Sequence, residues 1–362
     1  MRAITIKNLD AIALGAAVLG TGGGGDPYIG KLLARSAMTG RPPVRLLDVD
    51  ELNDDDLVIP TAMMGAPTVM VEKMPAGTEM VAAVNALSDF LGRKAVATMP
   101  MEAGGVNSMI PFAVAAQMGL PLIDADGMGR AFPELQMVTP TIWDIPATPM
   151  AMADDKGNSA ILQTISNHWT ETFARSLTVD MGASALIAVF PMTGKQVKAA
   201  TIPGTMTLIE QIGGAILRAH GDHTDPVAAV CDATGGFPIW RGKVGDVARR
   251  TVGGFARGAA RIEGTGEYEG RTLEIDFQNE FLIARAGDDV LATTPDLITV
   301  LDAETGEPVT TEALRYGFRV AVLGIPSDRR WRTARGLELV GPGYFGYDVP
   351  FVPIEERYRA VV

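Results

Sequence analysis

Between residues 44 and 124 the chain alternates short apolar runs with stretches of helical spacing, and this constrains its fold more than any other feature. Residues 44–49, 57–62, 94–99 and 121–124 read as buried strands. Between them, residues 78–91 set Met80, Val84, Leu87 and Leu91 at helical intervals, and Asn107 is placed to cap a helix reaching Met118. Such alternation predicts an α/β domain with a central sheet, in which the loops after the strand C-termini form the site.

Upstream, a small-residue helix spans 8–19 with Asn8 as its cap, and Asp26 and Pro27 open a second helix. The two are joined by the bare loop Gly20-Thr21-Gly22-Gly23-Gly24-Gly25. A nucleotide-binding glycine loop would follow a strand, and neither a Gly-x-Gly-x-x-Gly fingerprint after a strand nor a P-loop occurs. Downstream, residues 204–220 form an amphipathic helix in which Gly213 and Gly214 allow a close neighbour. Past residue 238 the pattern is mostly strand: residues 273–278 alternate strictly, and turns fall at Gly287-Asp288, Thr305-Gly306 and Gly341-Pro342-Gly343. The expected organisation is an N-terminal α/β domain over 1–167 and a C-terminal α+β domain over 168–362, β-rich after 238.

Composition narrows the function. A formal charge of −12 disfavours nucleic acid, which calls for clustered Lys and Arg. The single cysteine, Cys231, rules out an intrachain disulfide and a cysteine zinc cluster, and reads as a buried inert thiol. No apolar signal core precedes residue 8, and the apolar run 11–20 is too short to span a bilayer. The expectation is a cytoplasmic protein without membrane contact, assembled as a homo-oligomer as many cytosolic enzymes are. His220 and His223 sit among Gly, Thr and Pro, as in a surface loop, and no Gly-x-Ser-x-Gly elbow is present.

Three loops can carry chemistry. The backbone N–H groups of Gly22, Gly23, Gly24 and Gly25, with Asp26 beside them, can hold an anion or a developing negative charge, or merely turn the chain. Glu102 follows a strand and precedes Gly104, Gly105 and Asn107, which suits a general base or a ligand anchor; the alternative is a solvated loop. Asp124 and Asp126 face one side of an extended backbone, followed by Arg130 and Glu134. Two like charges held together give an acid and a base, or bind a divalent ion, while Arg130 steadies a substrate carboxylate or carbonyl. In the other reading the aspartates cap a turn and Arg130 neutralises them. Eleven of the 18 methionines fall between Met63 and Met137, as adaptable core filling or a soft pocket for a methylthio group.

These stretches, in this order, resemble the S-methyl-thiohydantoin desulfurase family. The resemblance runs through 19–27, through Met64-Gly65-Ala66-Pro67-Thr68-Val69, through 102–107 and 124–134, and on through 295–298 and 341–348. It implies removal of methanethiol from an S-methylated thiohydantoin, leaving a hydantoin, beside hydantoinase- and oxoprolinase-type ring-opening proteins. Water attacks a thioimidate-like carbon and a thiolate leaves, so no redox cofactor is required, and a divalent metal is optional. On the loop argument Glu102 or Asp126 is the base, Asp124 its partner, the glycine loop a donor and Arg130 an anchor. Two other readings stand beside this one: a non-catalytic binding or regulatory subunit of a hydantoinase complex, and a metal-dependent amidohydrolase using Asp124, Asp126 and His220 or His223.

Overall fold

The computed structural model describes residues 1–65 and 77–358, so the Ala66-Pro67-Thr68-Val69 part of the second motif lies outside the described residues. Its N-terminal part is an α/β unit on an array of short strands. Val44–Leu47 pairs antiparallel with Arg2–Ile4 and parallel with Leu122–Ile123. The expected strand at 94–99 lies next as an extended segment. Ile59 and Thr61 donate to the Ala97 and Met99 carbonyls on one side of it, and Ile123 donates to the Thr98 carbonyl on the other. The single strand expected over 57–62 is split into Leu57–Val58 and Thr61–Gly65, with Pro60, which has no N–H to donate, between them. Thr61–Gly65 then joins a four-stranded antiparallel sheet, in the order Thr61–Gly65, Ser184–Ala188, Met150–Ala153, Ser159–Leu162.

Helices cover this framework. Leu9–Leu19 falls close to its expected bounds, Pro27–Met38 starts where expected, and Asp26 caps it by accepting from the Tyr28 N–H at 2.8 Å. Asn8 stands at the first helix's N-cap position but caps nothing there. Its side chain turns back to accept from the Thr5 N–H at 2.9 Å and donates to Glu210 at 2.7 Å. The helix Thr205–Asp222 crosses Leu9–Leu19 at very close range: a Cβ on Gly15 would sit 1.8 Å from the Ile209 carbonyl oxygen, and one on Gly213 1.8 Å from that of Ala11. Gly214 meets only the end of the Arg218 side chain, so of the two expected glycines Gly213 alone serves the contact.

The C-terminal part is β-rich. Seven antiparallel strands run in the order Asp289–Thr293, Glu280–Ala286, Thr272–Gln278, Phe255–Gly264, Phe237–Val252, Arg319–Ile325, Leu297–Asp302. The sheet curls round Trp240, Ile262, Ile275, Phe281, Val300 and Val322. The alternation read at 273–278 holds through Phe277, with Leu273, Ile275 and Phe277 buried, Glu274 exposed and Asp276 half-buried, but Gln278 at the strand's end is buried as well. The two halves are laced together, because the strand Ser184–Ala188 and the helix Thr205–Asp222 follow residue 167 in sequence yet pack into the N-terminal unit.

Candidate functional site

The loops leaving the C-terminal ends of the N-terminal strands converge on a cavity of about 110 Å³, walled by Met63, Met64 and Gly65, by Met101, Glu102 and Asn107, and by Met128 and Phe132–Leu135. That is several times the ~10–15 Å³ a single water requires, so the cavity admits a small organic molecule. The segments after residue 167 close it with Glu171, Arg175, Ile187, Val189, Phe190, Asn279 and Glu280.

Glu102 is 8% exposed, and burial pushes its carboxyl up to about 7 against the hydrogen bonds from Asn107 and the Phe132 backbone. Asn107 is not a helix cap. The helix begins at Ile110, and the Asn107 amide is drawn to the strand edge instead. It accepts from the Met63 N–H at 2.7 Å, donates to the Met63 carbonyl at 3.1 Å, and donates to Glu102 Oε1. One side chain thus fixes the Glu102 carboxylate to the strand edge.

The glycine loops interlock behind the wall. A Cβ on Gly24 would lie 2.4 Å from the Gly104 Cα, and one on Gly105 2.4 Å from the Gly25 carbonyl oxygen, while Val106 N–H donates to the Gly24 carbonyl at 2.8 Å. Only backbones without side chains approach so closely. Gly24 and Gly25 reach the cavity surface; Gly22, Gly23, Gly104 and Gly105 sit behind it, and Asp26 is an exposed cap.

The aspartates lie elsewhere. Asp124 accepts from the Thr207 N–H at 2.9 Å and from its hydroxyl. Asp126 accepts from the Thr205 hydroxyl at 2.8 Å and from the Gly129 and Met128 N–H groups at 2.7 and 3.2 Å. Both serve the first turn of Thr205–Asp222, and neither belongs to the cavity wall. Burial pushes Asp126 up to about 7 despite those bonds. Arg130 is wholly buried and all five of its N–H donors have protein acceptors. Nε serves the Ala131 carbonyl, Nη1 the Pro295 and Asp296 carbonyls at 2.8 and 2.9 Å, and Nη2 the Thr21 hydroxyl at 3.0 Å and the Phe281 carbonyl at 3.5 Å. Its guanidinium holds the two halves together. Glu134 does line the cavity, accepting from the Tyr344 hydroxyl at 2.7 Å and from Gln136 at 2.5 Å.

Glu280 is a site residue that nothing in the sequence singles out. It is 2% exposed, lies on the cavity wall, and is raised well above the usual carboxylate range by burial and by the Glu102 charge, despite the Arg130 guanidinium nearby. Its signal was faint: the polar Gln278-Asn279-Glu280 stands between two strand-like runs, the second beginning with Phe281-Leu282-Ile283. Arg175 is another; it pairs with Glu171 on the wall and covers the Phe255 ring at 4.1 Å.

Among the described residues no group of three or more His, Cys, Asp or Glu side chains is placed to hold a metal ion. The set Asp124, Asp126, His220 and His223 does not fit one: the carboxylates are engaged at the helix start, and the His220 ring meets the Thr305 carbonyl at 2.5 Å. Cys231 is half-buried and its thiol is pushed up to about 11, chiefly by burial, which leaves little thiolate at neutral pH. No helix among the described residues is long and apolar enough to cross a membrane.

Fold and site together define a two-part α/β protein with a small, acid-bearing cavity closed by both halves. Family models agree: the S-Me-THD-like N-terminal domain matches residues 7–164 and the S-Me-THD-like C-terminal domain residues 165–354. The chain belongs to this S-methyl-thiohydantoin desulfurase family. It is also similar to a crystal structure of a protein from Chromobacterium violaceum, a structural genomics target. The TM-score is 0.82 at 24% identity over 98% of this chain and 100% of that one, a likeness that shows the fold alone. No curated protein matches the chain.

Proposed function

We propose that the protein hydrolyses the C–S bond of an S-methyl-thiohydantoin or a related cyclic small molecule, releasing methanethiol and leaving a hydantoin. The observation that carries this reading is a buried carboxyl, Glu102, held by Asn107 on the wall of a cavity of about 110 Å³ and pushed up to about 7 by burial. Water attacks the thioimidate carbon; its oxygen bonds to that carbon while Glu102 takes one proton and returns it to the ring nitrogen. The carbonyl then forms as the C–S bond breaks, Glu102 takes the hydroxyl proton, and methanethiolate leaves with a proton from Glu280. Glu280 suits the acid role because burial and the Glu102 charge keep it protonated. Met63, Met64, Met101, Met128 and Phe132 offer a polarisable apolar wall to the methylthio group. The hydantoin so formed is a substrate for ring-opening amidohydrolases, which is why hydantoinase- and oxoprolinase-type proteins are the expected companions.

The test is to incubate the purified protein with S-methyl-thiohydantoin and follow methanethiol. Release by the wild type, lost in a folded Glu102→Gln variant, supports the reading. Absence of release from the folded wild type overturns it for this substrate.

A further inference from the structure

The turn around Thr311 sets a second buried glutamate, Glu312, beside the segment that carries Glu280. Thr311 donates its hydroxyl to the Asn279 carbonyl at 2.7 Å, and its N–H donates to the Gly22 carbonyl at 2.9 Å, so the turn is fastened to the residue just before Glu280 and to the glycine tract. A Cβ on Gly23 would lie 1.9 Å from Glu280 Oε1, so the carboxyl fills the space that this glycine leaves beside the turn. The next residue, Glu312, is half-buried, and Arg315 and Tyr316 just beyond it are exposed. Arg249 holds the turn from the other side by donating to the Thr311 and Leu314 carbonyls. Glu280 Oε2 and Glu312 Oε1 are both buried with no hydrogen-bond partner among the described residues. Two acids in one low-dielectric region, each with an oxygen in want of a proton or an acceptor, are the elements of a proton path.

We propose that Glu312 links Glu280 to bulk water, reloading Glu280 with a proton after each turnover without touching the substrate. The proposal rests on Glu280 as the acid of the reaction proposed above. One proton enters from a solvent acid through Glu312 to Glu280, and the proton that Glu102 took from the hydroxyl departs through the cavity mouth. The charges that bear on Glu280 fit this direction: Glu102 and Glu312 both hold its proton on, while Arg130 favours its release. Glu312 itself is raised by burial, opposed by hydrogen bonds from its own backbone N–H and the Thr310 hydroxyl and by the Arg249 charge. Asp296, beside Arg130, is engaged by Ser327 and Arg332 and stands outside the path.

Infrared spectroscopy of the full chain tests this without substrate. A protonated-carboxyl band that vanishes in Glu280→Gln belongs to Glu280, and its exchange in heavy water is followed in wild type and Glu312→Gln. The expected result is exchange at least about tenfold slower in Glu312→Gln, with Glu312→Asp in between if the first variant folds poorly. Exchange at the wild-type rate overturns the path, and so does the absence of any Glu280 band. With substrate, steady-state methanethiol release by Glu312→Gln should fall in dilute buffer and recover when a small carboxylic acid buffer is added; a merely structural loss would not recover. A wild type that releases no methanethiol refutes the proposed reaction, whereas the exchange result decides the path by itself.

Discussion

At the scale of single residues the proposed chemistry turns on Glu102. Burial pushes its carboxyl up to about 7, so as the proposed base it works only above that value, and methanethiol release should rise as pH passes through about 7. The same shift bears on stability. A carboxyl raised from 4.5 unfolded to about 7 folded binds its proton more tightly in the native state. It therefore costs nothing below about 4.5 and removes up to about 3 kcal/mol of stability as pH climbs to about 7. Glu102→Gln should thus be more thermostable than wild type at about pH 8, with the gap in Tm closing near pH 5, while its activity falls by about a hundredfold or more. Thermal scans at the two pH values, set beside the rates, check both halves of that expectation. Arg130 should behave in the opposite way. Replacing it with Lys removes a planar fork serving five acceptors in the interior, and chemical denaturation should show a loss of about 3 kcal/mol or more. A variant that keeps its stability but loses substrate affinity would return Arg130 to the anchoring role that its motif first suggested.

At the scale of elements the neighbouring glycines Gly213 and Gly214 make a controlled pair. Gly213→Ala pushes a methyl into the Ala11 carbonyl between two helices and should cost about 1–3 kcal/mol. Gly214→Ala meets only a flexible Arg218 end and should be neutral or stabilising by up to about 1 kcal/mol. Denaturant midpoints of the two variants decide it. This is also the scale at which the sequence was most legible. The Asp26-Pro27 pair placed the start of Pro27–Met38, and Gly204 marked the start of Thr205–Asp222. The alternation of strands and helices pointed to the loop after Met99, where Glu102 stands. Asn107 was found as a residue of interest but given the wrong task, because Asn caps helices and bridges strand edges with the same amide; the choice depends on Met63, distant in sequence. Asp124, Asp126 and Arg130 looked like a charged cluster because they are close in sequence, yet their partners lie at Thr205, Thr207, Pro295 and Asp296. Glu280 escaped notice for the converse reason: nothing near it in sequence says that a hairpin will carry it against Glu102.

At the scale of the molecule the halves are not separable. Ser184–Ala188 sits between Thr61–Gly65 and Met150–Ala153, so a fragment ending at residue 164 lacks an inner strand of its own sheet. Such a fragment should show poorly dispersed NMR signals alone and acquire native dispersion when residues 165–362 are co-expressed. The cavity has the same dependence, since Glu102 comes from one half and Glu280 from the other.

The most direct test of the central claim is the rate of methanethiol release from S-methyl-thiohydantoin by the wild type and Glu102→Gln, measured from about pH 5 to about pH 9. The expected result is a wild-type rate that climbs as pH passes through about 7 and a folded variant with little activity at any pH. A Glu102→Gln protein that keeps the wild-type rate and profile would contradict it.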